Sequence, residues 1–347
     1  MKEIKVFFIH PMINTLKKFL EYIKIENTDL STRMVWDEIN PDYLFVSECI
    51  YTRTKQFQQF KKLYSLKRVI IGVIRECVSP DLNVFDYVLA YDRDVKNEDR
   101  IFRLNPFYYF WNTDVNICNN KISIEQCKKE LMSKKYFCNF IYSNPAPHYL
   151  RDEIFYKISS YKKVDSLGKH LTNTRIRPTR DDENWKRISI ELKKNYKFSI
   201  AAENAKYPGY NSEKIMTSYM AHSIPIYFGD PNISDEYNEK SYILVSDEKS
   251  LEIALKRVIE IDRNDELWID MIREPWMTNE QIERVKSNYY DYMKFLDNIF
   301  AVSIKNAVKR PLGSFGDNYA DWFFRKYHHK KVTYRNIQAK IRLLIKK

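Results

Sequence analysis

Short apolar runs rich in β-branched and aromatic residues recur along this chain with helical stretches between them, and that alternation leaves few folds open. "IKVFFI" (4–9), "DYLFVSE" (42–48), "KRVIIGVI" (67–74) and "FDYVLAYD" (85–92) read as strands, with helical sequence such as "TKQFQQFKKLYS" (54–65) between the first three. The segment 112–135 is polar and weakly patterned and reads as a linker. After it the alternation restarts. "YFCNFIYSN" (136–144) is a strand, and "LRDEIFYKISSY" (150–161) a helix with Leu150, Ile154, Phe155, Ile158 and Tyr161 on one stripe. "YKFSIAAEN" (196–204), "SEKIMTSYMAH" (212–222) and "IPIYFG" (224–229) make a complete βαβ unit, and "YILVS" and "LEIALKRVIEI" continue the style. Two parallel sheets covered by helices, in series, are the expected α/β fold, and ligands of such sheets bind beyond the carboxyl ends of the strands. The cleft between the two domains is therefore the expected place of the chemistry.

At 347 residues the chain is long enough for two such domains, and 44% hydrophobic with 30% charged residues excludes a disordered or fibrous protein. Cys49, Cys77, Cys118, Cys127 and Cys138 are an odd number without a CxxC pair, which indicates neither a disulfide framework nor a structural zinc site. No apolar run reaches the length of a signal peptide core with a cleavage site or of a membrane span, so a cytoplasmic location is expected. Nine of the net +12 charges lie in 325–347, "RKYHHKKVTYRNIQAKIRLLIKK", which holds no acid. On a helical wheel Tyr334, Ile337, Ile341, Leu344 and Ile345 gather opposite Arg335, Arg342 and Lys346. Such a basic amphipathic tail suits an anionic membrane surface, at about 1 kcal/mol per basic residue; the alternative is a solvated terminal helix. A nucleic-acid-binding module driven by the tail is a further alternative, opposed by the near-neutral charge of the rest.

Six glycines allow neither GxGxxG nor a P-loop, so any phosphate must be held by side chains and helix ends. In "AAENAKYPGYNSEKIMTSYMAHSIPIYFGD" (201–230), Ser212 is placed to cap a helix whose second residue is Lys214. A cation there opposes the helix dipole by roughly 0.3–1 kcal/mol unless an anion sits at that end. Glu203, Asn204 and Tyr210 in the preceding loop could grip sugar hydroxyls or stack on a ring. Arg151 repeats the oddity in the first turn of the earlier helix. Two cations at two helix starts suit a diphosphate across neighbouring strand ends, against the simpler reading of two surface ion pairs.

"FSIAAENAKYPGYNSEKIMTSYMAHSIPIYFGDPNISDEYNEKSYI" (198–243) resembles the signature of the α-1,3/4-fucosyltransferases, glycosyltransferase family ten, bacterial type: F-E-N, G-Y-V-T-E-K-I, A-H-T-I-P-I-Y-W-G-x-P and N-x-K-S-F. "CNFIYSNPAPHYLRDEIFYKI" resembles the family's S-N-x-x-A-P-x-R block, and "SPDLNVFDYVLAYD" with "RIFRLNPFYYFW" its acceptor-domain block. The resemblance covers roughly residues 65–300. It implies a GT-B architecture of two Rossmann-like domains facing a central cleft, with an acceptor domain over 1–125, a GDP-sugar domain over 126–310 and the helical basic tail over 311–347. It also implies transfer of L-fucose from GDP-fucose to an acceptor glycan hydroxyl, with O3 of N-acetylglucosamine expected, with inversion and without a metal; a glycolipid or lipopolysaccharide acceptor at the inner membrane face suits the tail. Another GDP-sugar or another acceptor is the alternative.

By the same resemblance Arg151 and Lys214 hold the diphosphate, Asn204, Tyr210 and Glu213 contact the ribose, the fucose or the charge developing on its ring, and Glu76 takes the place of the base. The family's G-E-N around the base reads Arg75-Glu76-Cys77 here, which puts an altered acceptor in prospect. Independently, breaking a sugar–phosphate bond builds positive charge on carbon and negative charge on the leaving group, so cations at the phosphates and a carboxylate for the acceptor proton are the residue types required. Glu76 follows a strand and can face the cleft. His170 and His222 lack partners at ligand spacing and are expected at helix ends or the surface, while the aromatics of "FYYFW" (107–111) are expected chiefly in the core.

Overall fold

The computed structural model describes residues 3–10, 34–65, 67–95, 99–107, 114–145, 147–175 and 184–327. From residue 328 on, the basic tail lies outside the described residues, as do 108–111 of the aromatic run. The chain forms two compact units, one of residues 1–112 with 287–347 and one of 113–286.

In the first unit, six parallel strands stand in the order β2-β1-β3-β4-β5-β6: β1 Ile4–Ile9, β2 Met34–Trp36, β3 Tyr43–Ser47, β4 Val69–Val73, β5 Tyr87–Ala90 and β6 Ile101–Arg103. Every residue of β3, β4 and β5 is buried, the signature of parallel strands covered on both faces. Helix α1 (Thr54–Leu63) turns Phe57, Phe60 and Leu63 inward, and Phe324 meets Phe60 and Tyr64 edge-on at 5.4 and 4.8 Å between ring centres. The chain enters at β1, adds β2 on one side and returns as β3 on the other, so the sheet reverses its winding between β1 and β3.

The second unit holds β7 (Tyr136–Phe140), β8 (Val164–Ser166), β9 (Tyr196–Ala202), β10 (Ile224–Phe228) and β11 (Ile243–Leu244), parallel, in the order β11-β10-β9-β7-β8. Its reversal falls between β7 and β9. Its helices are α2 (Ile124–Ser133), α3 (Tyr149–Ser159), α4 (Trp185–Lys193), α5 (Glu213–Tyr219), α6 (Glu248–Arg263) and α7 (Asp265–Arg273), and α8 (Asn279–Ala301) follows. The supposed linker 112–135 instead contains α2, capped by Ser123 accepting from the Gln126 N–H at 3.1 Å and burying Cys127 completely. Cys127 is the one fully buried residue of that helix, with Leu131 packing on the core from its edge, which is why its pattern was faint.

The sequence boundaries at 125/126 and 310/311 differ from the compact division, which returns residues from 287 on to the first unit. A pair of fully buried charges shows the reason. Asp86 contacts the Arg310 guanidinium and accepts from the backbone N–H groups of Ile70, Lys309 and Arg310 at 2.7, 2.7 and 2.9 Å. Arg310 also donates to the Ser65 carbonyl at 2.6 Å. A contact spanning 224 positions leaves no periodic trace in sequence. Removing one member of a buried pair strands the other, at about 3–5 kcal/mol. Asp86→Ala should therefore lower the unfolding free energy by about that amount in urea denaturation, and a loss below about 1 kcal/mol would show the pair to be dispensable.

Among the described residues no helix is long and apolar enough to cross a membrane.

Candidate active site

The winding of the second sheet reverses between β7 and β9, and the carboxyl ends flanking such a reversal are where an open α/β sheet takes its ligands. The segments leaving these two strands carry six of the seven candidate residues. Arg151 stands in the first turn of α3; Glu203 and Asn204 follow β9; Tyr210, Glu213 and Lys214 lead into α5.

Lys214 meets Glu203. Its ammonium donates to Glu203 Oε2 at 2.7 Å and to the Ser212 hydroxyl at 2.8 Å, with Glu213 Oε1 at 3.7 Å. Ser212 stands at the N-cap position but makes no side-chain cap bond: its N–H and hydroxyl both turn to the Glu203 carboxylate, at 2.8 Å. Burial alone would pull the Lys214 ammonium down, yet Glu203, Glu213 and Tyr142 outweigh it and hold the pKa above the usual lysine value. Burial pushes the Glu203 carboxyl up, with Lys214 opposing. The pair is thus a buried ion pair and not a surface one. Gly229 makes room for it, since a Cβ there would lie 2.5 Å from Glu203 Cγ.

Arg151 is fully buried and its polar partners are neutral: Nη1 donates to Asn204 Oδ1 at 2.9 Å and Nη2 to the Asn144 carbonyl at 2.5 Å. Its Nε has no hydrogen-bond partner. The guanidinium stacks 4.3 Å from the ring centre of Tyr142, whose hydroxyl donates to the Ile200 carbonyl at 2.8 Å and accepts from the Ala202 N–H at 2.7 Å. Tyr142 thus ties β7 to β9 beneath the cation. Burial pushes its phenol up to about 12, and Lys214 and Arg151 both act on it in the opposite sense. Glu203 in turn acts on Arg151 as well as Lys214. The two cations therefore share one neighbourhood, at two adjoining strand ends.

Three expectations need correction. Glu203 is fully buried with both oxygens engaged by Ser212 and Lys214, so it braces the lysine and offers no grip to a sugar. Tyr210 is 1% exposed, which leaves no open ring face for stacking. His170 is also buried, 2.7 Å from Asp152 Oδ1, where a helix-end or surface position was expected. His222 does follow a helix, in the left-handed region at φ 46°. Asn204 and Glu213 are half-buried at the edge of the set. Glu76 stands apart in the first unit, exposed, three residues after β4.

Sequence reasoning missed Tyr142 and Lys193. A tyrosine directly after a buried strand was the available signal for the first, because a buried hydroxyl must find partners. Lys193, 4% exposed at the end of α4, donates to Thr217 Oγ1, Ser218 Oγ and the Lys214 carbonyl at 2.8, 3.1 and 3.3 Å. It underpins α5 from below.

A cavity of about 500 Å³ opens elsewhere in this unit, lined by Lys240, Tyr242, Leu244, Ile253 and Arg257 beside β11; none of the candidate residues lines it.

Two parallel α/β units, the second with buried cations at its reversal point, have the two-Rossmann, GT-B architecture. Residues 131–302 match the family described as Glycosyltransferase family 10 (fucosyltransferase) C-term. Over these residues the chain belongs to glycosyltransferase family 10. It is 31% identical over 210 residues to the putative fucosyltransferase R654 of Acanthamoeba polyphaga mimivirus, covering 58% of this chain and 33% of that protein. It is 27% identical over 225 residues to the α-(1,3)-fucosyltransferase FucT of Helicobacter pylori, covering 56% and 45%. The chain thus spans less than half the length of these curated relatives. A crystal structure of an α1,3-fucosyltransferase with GDP-fucose shares its fold at a TM-score of 0.59 and 19% identity, over 84% of this chain and 91% of that one.

Lys193 gives a pH test. Burial brings its pKa down to about 7 from an ordinary 10.5. Between those values the unfolded chain binds the extra proton, so stability rises with pH, by at most about 1.4 kcal/mol per pH unit from this group. Lys134, down to about 8 by burial, acts in the same sense and is common to both proteins compared. Urea denaturation from pH 7 to 10 should show a shallower rise in Lys193→Met than in the parent; identical slopes would place the lysine's proton elsewhere.

Proposed function

We propose that this chain transfers L-fucose from GDP-fucose to a hydroxyl of an acceptor glycan, with inversion at the sugar carbon. The observation that carries this reading is Arg151: a buried guanidinium with neutral hydrogen-bond partners only, at the reversal point of the second sheet, acting with Lys214 on the same tyrosine. A phosphate oxygen offers this guanidinium the opposite charge that its neutral partners lack, and Nε, which has no hydrogen-bond partner, is a donor left to meet it. Family membership and the relatives' fucosyltransferase names support the sugar and the nucleotide.

Arg151 and Lys214 then meet the charge that GDP gains as it leaves. Being fixed in place by Tyr142, Asn204 and Glu203, they need no rearrangement as that charge grows. Glu76 accepts the acceptor hydroxyl's proton; the freed oxygen forms its bond to the fucose carbon on one face while the carbon–phosphate oxygen bond breaks on the other, its electron pair departing with GDP. Arg151 and Lys214 supply the positive charge that balances the phosphates in this scheme, and no metal takes a step in it. O3 of N-acetylglucosamine is the acceptor position proposed. The basic tail is proposed to hold the enzyme at an anionic membrane surface, near a lipid-linked or lipopolysaccharide acceptor, and loss of vesicle pelleting on truncation at 325 tests that part.

Incubation with GDP-fucose and a panel of β-linked galactosyl and N-acetylglucosaminyl acceptors should yield fucosylated product. Arg151→Ala and Lys214→Ala should each lower kcat by about 10²–10³-fold. Because Lys214→Ala strands Glu203, the pair variant Lys214→Met with Glu203→Gln should recover stability while staying inactive. Full transfer by either Arg151→Ala or the pair variant would refute the clamp, and turnover of GDP-mannose alone would change the sugar.

A further inference from the structure

The first sheet has a charged set at its own reversal point. His10 directly follows β1, Glu48 directly follows β3, and β4 leads through Ile74 to Arg75 and Glu76, so the carboxyl ends of three adjacent parallel strands deliver these side chains to one edge. Arg75 joins them. Its guanidinium contacts His10 Nε2 and lies 3.9 Å from Glu48 Oε1, while its backbone N–H donates to Glu48 Oε2 at 3.2 Å. All three side chains are largely buried, at 7% exposure for His10, 11% for Glu48 and 14% for Arg75, whereas Glu76, the next residue, is exposed.

A carboxylate that binds both the backbone and the side chain of one residue fixes where that residue's chain segment runs. Here it fixes the residue preceding Glu76. Burial pushes the Glu48 carboxyl up, Arg75 pulls it down, and Glu76 is close enough to act on it. The arrangement also accounts for the arginine standing where the family has the glycine of its G-E-N: the larger side chain is accommodated by partners from two other strands.

We propose that His10, Glu48 and Arg75 are a positioning set that holds the Glu76 carboxylate in place to receive the acceptor's proton. This rests on the fucosyl-transfer reading above. None of the three touches the reacting atoms in this proposal; they act through the backbone at Arg75. A carboxylate displaced by even about 1 Å from its working geometry can cost of order 10²-fold in rate.

The test is steady-state kinetics of the full chain with GDP-fucose and the best acceptor of the panel, on Glu48→Gln, Arg75→Met and the double variant. Each single variant should lower kcat tenfold or more, with KM for GDP-fucose and the melting-temperature rise caused by GDP unchanged. The double variant should be no slower than the slower single, because the residues act as one unit. Arg75→Lys keeps a cation beside Glu48 for folding, yet one ammonium cannot span both Glu48 and His10, so kcat should still fall. Variants with kcat within twofold of the parent overturn the proposal, as does a loss that appears in the KM for GDP-fucose. A parent protein that neither transfers fucose nor responds to GDP overturns the function itself, which separates the two failures.

Discussion

A carboxylate placed at the end of a buried parallel strand cannot remain charged there without a cation. Glu203 is such a group, and the ammonium of Lys214 at 2.7 Å is what it obtains. Much of the second unit follows from that pairing. Ser212 gives up its capping role to serve the carboxylate, and the helix Glu213–Tyr219 starts with a cation held in place against its dipole. Lys193 secures the same helix through three hydrogen bonds, and Gly229 leaves the volume that the glutamate occupies. The lysine that looked unfavourable in isolation is stabilised from one side by Glu203, and 17% of its side chain stays exposed on the other.

The two units answer the same topological question in different ways. Each sheet reverses its winding once, and each places charge at the carboxyl ends flanking the reversal. In the second unit the buried cation Arg151 is satisfied by an amide, a carbonyl and a ring face, none of which neutralises it. In the first, Arg75 is neutralised by Glu48 and leaves a neighbouring carboxylate exposed. One edge presents a guanidinium without a counter-charge, and the other pairs its guanidinium and leaves the next carboxylate exposed.

The central strands and α5 were legible because fully buried parallel strands read as continuous apolar runs and their helices as one-sided stripes. Strands of three residues, Met34–Trp36, Ile101–Arg103 and Val164–Ser166, were not, since a run that short has no period to detect. Helix Ile124–Ser133 escaped for the reason that its mostly exposed surface resembles a linker. For the site, sequence placed Lys214 and Arg151 at their helix starts and the structure gathers them around Tyr142 and Glu203. What it could not supply was burial: whether Glu203 and Tyr210 face a ligand or the interior depends on packing from β10 and the 203–212 loop, not on local pattern. The Asp86–Arg310 and Glu48–Arg75 contacts were hidden for a related reason, being pairings between segments far apart in the chain.

The claim on which the account rests is that Arg151 and Lys214 together bind a diphosphate. Calorimetric titration of the protein with GDP and with GMP tests it directly. The account predicts that GDP binds at least about tenfold more tightly, roughly 1.4 kcal/mol, and that the margin vanishes when both cations are replaced by methionine. Equal affinity for the two nucleotides in the parent protein, or a margin that survives the double replacement, would contradict it.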